Sequence, residues 1–242
     1  MSVRPRRIAA IGGGGFLMDD DSLRQERWLL SLTGRATRPG DRPSVLFIGT
    51  AGGDGERGQL KFHRAFSRLD CRAACLAFFP YDMTRDYRQA VLDADLVYVG
   101  GGNTPAMLAV WREFGFDRAL RDALEQGTVL AGISAGANCW FEHYITDSVP
   151  GGGVRPGLGW LPGVFCPHLD SEPWRLPLLA AQAAPAVGAG DGVVVLYEDG
   201  RRAEAVHSAA GAPLLQCTDA AGRALVAVEP RALPCAPLCA PI

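Results

Sequence analysis

Apolar runs of strand length alternate with helical patterns along the first half of the chain. Five apolar runs predict strands over residues 7–11, 44–48, 73–78, 96–99 and 128–131. Between them, helical patterns predict helices over residues 23–32, 59–69 and 87–93, and over 105–126 in two pieces broken near Gly115. This alternation predicts an α/β protein in which helices cover both faces of a mostly parallel sheet.

Glycine-lined turns follow four of these predicted strands, at residues 12–15, 50–53, 100–104 and 132–136. Because ligands of such sheets bind beyond the carboxyl ends of the strands, we expect the four turns to face one crevice. A nucleotide is not the expected ligand. A G-x-G-x-x-G motif needs a third glycine, but Leu17 or Met18 stands at that position after the turn at residues 12–15, and Pro105 stands there after Gly100. No G-x-x-x-x-G-K-[ST] loop occurs in the sequence.

The turn at residues 132–136 carries Ser134 between two glycines, directly after an apolar run. A strand ending at residue 131 and a helix predicted to start at Ala135 and run to residue 141 place Ser134 on a sharp strand-to-helix turn. This is the geometry of a nucleophile elbow, although a serine that only caps a helix fits the same five residues. We expect the N–H of Gly101 or Gly102, together with that of Ala135, to form an oxyanion hole.

Asn103 and Thr104 can cap the helix predicted to begin at Pro105, and a direct part for Asn103 in binding or catalysis stays open. A serine nucleophile also needs a base, and four histidines are available. His168 is preferred because Phe-Cys-Pro-His ends an apolar run where the chain returns to the carboxyl edge of the sheet. The other three are predicted on a helix surface (His63), on the helix leaving Ser134 (His143) and in a polar strand (His207).

The carboxylate that orients the base stays open at this point, because Asp147, Asp170, Glu172 and Asp191 all qualify. Asp170 and Glu172 follow His168 so closely that they are expected to shape its loop or to bind substrate. Asp191 lies in a Gly-Asp-Gly turn just before an apolar strand at residues 193–197.

Composition bounds the remaining classes of function. The 242 residues, 48% hydrophobic and 21% charged, predict one α/β domain over residues 1–229 and a proline-rich tail over 230–242. A net charge of −2 gives no reason to expect nucleic acid or membrane as partner, and no segment predicts a membrane span or a signal peptide. Seven irregularly spaced cysteines argue against a disulfide framework and a zinc site, so we expect a cytoplasmic protein.

Several motifs taken together resemble the peptidase E family of serine peptidases (family S51), which includes aspartyl dipeptidases and is related to cyanophycinases. They are Gly-Gly-Gly-Asn-Thr at residues 100–104, Gly-Ile-Ser-Ala-Gly-Ala at 132–137 and Cys-Pro-His at 166–168. The family's fold is a three-layer α/β sandwich, similar to the flavodoxin-like class I glutamine amidotransferases. The resemblance implies Ser134 as nucleophile and His168 as base, and it implies no metal or organic cofactor.

For the third catalytic residue, the resemblance points to Asp191, because aspartyl dipeptidases carry a glutamate in a Pro-Glu-Gly turn at the matching position. The shorter side chain is a departure that requires the turn to stand nearer His168, and Asp147 is the second choice. Leu169 is another departure, since several relatives are expected to carry tyrosine there.

The substrate implied by the resemblance is a short peptide, in particular a dipeptide with an N-terminal aspartate. Arg155, Arg175 and Arg57 are candidates to bind the aspartate side chain, and Glu172 or Glu142 to bind the α-amino group. Two alternatives stay open: an acyl esterase or amidase acting on a non-peptide substrate, and a non-catalytic small-molecule-binding protein. A homodimer also stays open, because the sequence does not give the oligomeric state.

Overall fold

The structure, a computed structural model, describes residues 4–35, 41–79, 82, 84–182, 185–217 and 225–234. The strands are β1 (Arg7–Ile11), β2 (Ser44–Ile48), β3 (Arg72–Leu76), β4 (Leu96–Val99), β5 (Val129–Ile133), β6 (Phe141–Thr146), β7 (Gly153–Pro156), β8 (Leu161–Cys166), β9 (Ala186–Ala189), β10 (Val193–Glu198), β11 (Arg201–His207), β12 (Leu214–Cys217), β13 (Val226–Ala227) and β14 (Arg231–Ala232). The helices are α1 (Arg24–Leu32), α2 (Glu56–Phe66), α3 (Tyr87–Leu92), α4 (Thr104–Glu113), α5 (Phe116–Glu125), α6 (Ala135–Asn138) and α7 (Arg175–Ala180). Two 3-10 helices span Phe16–Met18 and Thr50–Gly52.

Eight of these strands form the larger sheet, in the order β14-β11-β10-β1-β5-β4-β2-β3. The five strands from β1 to β3 in this order run parallel, whereas β10 is antiparallel to both of its neighbours, β1 and β11. Parallel pairing brings the carboxyl ends of β1, β5, β4 and β2 to one edge. The mostly parallel central sheet is therefore confirmed, with one antiparallel strand, β10, between β1 and β11.

The central strands of the larger sheet are buried on both faces, which explains why they are almost continuously apolar; they are β1, β2, β4, β5 and β10. Along β1, Ile8 and Ala10 join a core that includes Trp111 of α4, whereas Ala9 and Ile11 join a second core that includes Phe62 of α2. Alternation with a period of two thus sends successive side chains into different cores. Helices α1 and α2 cover one face, and α3, α4 and α5 cover the other, which gives three layers.

A smaller sheet of six strands, in the order β13-β12-β9-β8-β6-β7, follows the first half of the fold. One of its faces packs into the first core through Phe141 and Phe165, whose rings stack with centroids 4.8 Å apart. Its strands β6, β8 and β9 are parallel. The carboxyl end of β8 carries the chain to His168, so this sheet delivers the proposed base.

One local prediction is wrong: the helix after Ser134 does not reach residue 141. Helix α6 ends at Asn138, and β6 begins at Phe141 and pairs with β8. His143 therefore lies on a strand, not on a helix. Aromatic and β-branched residues over 141–146 favour a strand, and pairing with partners distant in sequence outweighs the local helical pattern.

The last segment of the chain is described only in part. Arg231–Ala232 of the expected proline-rich tail pairs as an edge strand with β11, which agrees with the proline content, because proline is tolerated at sheet edges. Residues 235–242, with Cys235 and Cys239, lie outside the described residues. Within the part of the chain that is described, no helix is both long and apolar enough to cross a bilayer.

Candidate active site

Ser134 lies at the carboxyl end of β5, in a backbone conformation that only tight packing can hold. Its φ of 54° and ψ of −112° fall outside the regions that L-residues normally adopt. The glycines on either side permit this: a Cβ on Gly132 would lie 2.1 Å from the carbonyl oxygen of Gly136, and one on Gly136 would lie 2.4 Å from that of Val99. Such a strained turn between a strand and a helix is the geometry of a nucleophile elbow.

The glycine turn after β4 reaches the serine from one side. A Cβ on Gly101 would lie 3.4 Å from the Cβ and 3.8 Å from the Oγ of Ser134. Gly102 adopts a φ of 137°, and a Cβ there would lie 2.1 Å from the carbonyl oxygen of Ala51. Within the described residues, the N–H groups of Gly101, Gly102 and Ala135 donate no hydrogen bond. They are therefore available to an oxyanion formed beside Ser134.

His168 and Asp191 form a close pair at the same edge of the sheet. The Nδ1 of His168 lies 2.6 Å from Oδ1 of Asp191, and the two side chains are 15% and 22% exposed. The hydrogen bond with His168 is the main cause that lowers the pKa of Asp191, against the opposing effect of burial. A carboxylate at this position keeps the proton on Nδ1 and leaves Nε2 free to accept one.

The segment after β1 connects the serine with this pair. The backbone N–H of Ser134 donates to the carbonyl oxygen of Ile11 over 3.0 Å. Two residues later, a Cβ on Gly13 would lie 1.8 Å from Oδ1 of Asp191 and 2.9 Å from Nδ1 of His168. The backbone of Ser134 and the side chains of His168 and Asp191 therefore contact the same short stretch of chain, residues 11–13. Among the residues that the structure describes, the Ser134 hydroxyl makes no hydrogen bond.

Asp147, the second choice for the orienting acid, points elsewhere. Its carboxylate is 60% exposed and lies 3.4 Å from the guanidinium of Arg175. Asp170 instead supports the Asp191 turn, because its Oδ1 accepts the backbone N–H of Asp191 over 2.8 Å. The sequence grouped Asp170 with the residues that shape the loop, but its partner across 21 positions could not be inferred from spacing.

Two of the predicted substrate-binding residues have polar groups that are already occupied. The guanidinium of Arg175 is 5% exposed and bonds to Glu172 over 2.6 Å and to the carbonyl of Ile145 over 2.8 Å. Asn103 caps α4 by accepting the N–H of Ala106, and its amide donates to the carbonyl of Ser148. Both side chains therefore hold the walls of the crevice, a physical reason to look elsewhere for direct substrate contacts.

The remaining candidates differ in position. Arg155 lines a cavity of about 440 Å³ beside the start of α4, together with Arg112, which the sequence reasoning missed. Glu172 lies in the His168 turn and donates its backbone N–H to the carbonyl of His168 over 2.8 Å, with its side chain 33% exposed. Glu142 accepts the N–H of Gly163 on the second sheet, and Arg57 lies on the exposed side of α2.

A parallel sheet with a serine at the elbow after β5 defines an α/β serine hydrolase. Residues 8–204 match the sequence model of Peptidase family S51. Over 172 residues, the chain is 42% identical to a protein of Bacillus subtilis (strain 168) named "Uncharacterized peptidase YgaJ", across 71% of this chain and 72% of that protein. The chain belongs to peptidase family S51, and it is a serine-type peptidase.

Solved structures of similar fold match most of the chain. A peptidase from an acI-B1 Actinobacterium matches with a TM-score of 0.72 and 18% identity, over 94% of this chain and 96% of that chain. A protein assigned to peptidase E from Listeria monocytogenes EGD-e matches with a TM-score of 0.61 and 14% identity, over 85% of this chain and 100% of that chain. At these identities the likeness shows the fold alone, and the expected α/β sandwich is confirmed.

Proposed function

We propose that this serine-type peptidase hydrolyses short peptides, above all dipeptides with an N-terminal aspartate, through a Ser134–His168–Asp191 triad. The observation that carries the triad is the 2.6 Å contact between His168 Nδ1 and Asp191 Oδ1, beside a serine held at a strained elbow. The proposed reaction takes place in the cytoplasm, a location that the free thiols of Cys71, Cys139 and Cys166 support.

The reaction proceeds in two steps. His168 Nε2 takes the proton of Ser134 as Oγ attacks the scissile carbonyl carbon, and the N–H groups of Ala135 and of Gly101 or Gly102 bind the oxyanion. The C–N bond then breaks, and the leaving amine takes the proton from His168. Water, deprotonated by the same imidazole, attacks the acyl-enzyme and releases the acid product and the free serine. Asp191 stays ionised and stabilises the imidazolium.

Selectivity for an aspartate side chain is supported by the cavity beside α4. Two arginines, Arg112 and Arg155, line this cavity of about 440 Å³, and none of its described lining residues carries a carboxylate. It begins at Pro105, directly after the Gly100–Thr104 turn that touches Ser134. A guanidinium here can bind a carboxylate with two parallel hydrogen bonds. Arg155, highly exposed on β7, is the residue we assign to this contact.

Recognition of the free α-amino group falls to Glu172. Its Oε2 is paired with Arg175, and its turn is bonded to the backbone of His168. The partly exposed carboxylate therefore lies near the catalytic base and can accept from an ammonium group.

The test is a panel of dipeptides that differ only in the first residue, with release of that residue measured for wild type and three variants. We expect Asp-Leu to be hydrolysed far faster than Ala-Leu, and Ser134→Ala and His168→Ala to abolish turnover, while Ser31→Ala on the exposed face of α1 leaves it unchanged. Hydrolysis of simple esters but of no dipeptide would favour the acyl esterase instead. A folded wild type that neither hydrolyses any substrate nor reacts with a fluorophosphonate would favour the non-catalytic alternative.

A further inference from the structure

Helix α1 buries two adjacent polar side chains completely. Gln25 and Glu26 are each 0% exposed, although they stand in the first turn of a helix that otherwise carries its polar residues outside. An amide and a carboxyl group in the interior are costly unless hydrogen bonds compensate them. Their contacts therefore indicate what these two residues hold in place.

Both side chains contact the glycine turn that follows β1. Gln25 Nε2 donates to the carbonyl oxygen of Gly13 over 3.3 Å, and Glu26 Oε1 accepts the N–H of Phe16 over 3.0 Å. A Cβ on Gly15 would lie 2.6 Å from Glu26 Oε1 and 2.8 Å from Gln25 Oε1. The turn over residues 13–16 thus rests directly on the two polar groups.

The same turn touches the catalytic pair on its other side. Gly13 forms a parallel bridge with Asp191, and its carbonyl oxygen accepts the N–H of Gly192 over 2.9 Å. A Cβ on Gly13 would overlap Oδ1 of Asp191 and lie 2.9 Å from Nδ1 of His168. No gap separates Gly13 from the pair, so a displacement of Gly13 displaces Asp191.

Gln25 reaches the Asp191 turn by a second path. Its Nε2 also lies 3.2 Å from Oγ of Ser208, whose backbone N–H donates to the carbonyl oxygen of Gly192 over 2.9 Å. The amide group of Gln25 therefore bonds to two segments, at Gly13 and at Ser208. Each of these segments forms a backbone hydrogen bond with Gly192, in the turn that carries Asp191.

Glu26 faces a polar group that lacks a partner. Among the described residues, Glu26 Oε2, Gln25 Oε1 and the Tyr98 hydroxyl are buried without a hydrogen bond. Burial, with a smaller contribution from Asp20 in the preceding loop, raises the pKa of Glu26 to about 7. The backbone N–H groups of Phe16 and Glu26 and the charge of Arg27 oppose this shift. Burial raises the pKa of Tyr98 on β4, and the charge of Glu26 raises it further. A protonated Glu26 adds a hydroxyl donor to these buried groups, besides that of Tyr98.

We propose that Gln25 and Glu26 are positioning residues of the peptidase, which act through the glycine turn to keep Asp191 and His168 in the arrangement that Ser134 requires. This role rests on the triad proposed above, since the two residues touch neither substrate nor Ser134.

The experiment measures the rate constant for reaction of Ser134 with a fluorophosphonate between pH 5 and 9, alongside circular dichroism and thermal melting. Gln25→Ala removes both bonds from Nε2, and we expect the rate constant to fall by about tenfold or more, because small misplacements of catalytic groups have large effects. Ser208→Ala removes one of these bonds with little change in packing, and a fall of about threefold is expected. In both variants, the pH of half-maximal labelling should move by about half a unit, because the contact between Asp191 and His168 changes.

Glu26 is tested by a conservative and a non-conservative change. Glu26→Gln keeps an acceptor for the N–H of Phe16, so its labelling rate should stay within about twofold of wild type, while Glu26→Ala loses about tenfold. The control is Thr33→Val at the other end of α1, where a buried hydroxyl donates to the carbonyl of Leu30 over 2.8 Å. It should lower the melting temperature without changing the labelling rate.

The outcomes separate the two proposals. A wild type that does not react with the fluorophosphonate overturns the triad, and the positioning role with it. A reactive wild type with unchanged rates in Ser208→Ala and Glu26→Ala overturns the positioning role alone, even if Gln25→Ala fails to fold. Rates that fall in proportion to the melting temperature in every variant, Thr33→Val included, also overturn it.

Discussion

Replacing Glu26 by glutamine should abolish a pH dependence of stability that a single buried carboxyl group causes. Its position in the first turn of α1 favours the ionised form by about 0.3–1 kcal/mol at most, and the N–H of Phe16 also favours it. Burial outweighs both and raises the pKa from 4.5 to about 7. At about 1.4 kcal/mol per pH unit, this difference corresponds to about 3 kcal/mol.

The sign follows from the direction of the shift. The folded protein holds the Glu26 proton more tightly than the unfolded chain, so the stabilisation is fully present below about pH 4.5. It is lost as the pH rises through the pKa of about 7 in the folded state. Glu26→Gln carries no proton to lose, and it should therefore become more stable relative to wild type as the pH rises.

The assay is urea unfolding of wild type and Glu26→Gln at pH 4.5 and pH 8. We expect the difference in unfolding free energy between the two proteins to change by about 3 kcal/mol between these pH values. Glu56→Gln, at an exposed position in the first turn of α2, is the matched control and should change by less than about 0.5 kcal/mol. A difference for Glu26→Gln that is the same at both pH values would refute the reasoning.

Three further predictions concern the active site. Asp191→Asn should lower kcat by about 10³–10⁴-fold with little change in melting temperature, since the amide cannot hold the required tautomer of His168. Steady-state kinetics with an Asp dipeptide measure this effect, and full activity of the variant would remove Asp191 from the triad. Gly136→Ala should destabilise the protein by about 3 kcal/mol, because its Cβ would lie 2.4 Å from the carbonyl oxygen of Val99; an unchanged urea midpoint would contradict the packing at the elbow. Arg155→Ala should lower kcat/KM for Asp-Leu by about 30-fold through loss of a charge-assisted contact. An equal loss for Ala-Leu would exclude a role of Arg155 in side-chain selection, and so would an equal loss in the control variant Arg57→Ala.

The elements that the sequence predicted well are those whose signals are local. The strands β1, β2 and β4 have the predicted bounds, and the pair α4 and α5 breaks at Gly115 as expected. The error came at residues 139–143, where the helical pattern continued past α6 but distant strand partners determined the backbone. His143 was misplaced for that reason.

The site divides in the same way. Ser134 could be found because Gly132 and Gly136 lie only two positions away on either side of it. The tight strand-to-helix turn that requires these glycines therefore leaves a signal within five residues of sequence. The contact between His168 and Asp191 spans 23 residues, and the bond from Asp170 to Asp191 spans 21. The resemblance points to Asp191 with Asp147 as second choice, and the two carboxylates differ in their surroundings: Asp191 contacts His168, whereas Asp147 is exposed beside Arg175.

By itself, the sequence determined the α/β class, the parallel sheet, the elbow at Ser134 and the preference for His168, because hydrophobic periodicity and glycine spacing act within a few residues. Only the tertiary structure decided that Asp191 faces His168 and that the polar groups of Arg175 and Asn103 bond to other residues of the crevice walls. It also decided that Gln25 and Glu26 lie buried against the glycine turn that contacts His168 and Asp191. The physical reason is that burial and hydrogen-bond partners depend on which distant segments pack together. The helical pattern of α1 indicates only that one of its faces is buried, not which residues that face contacts.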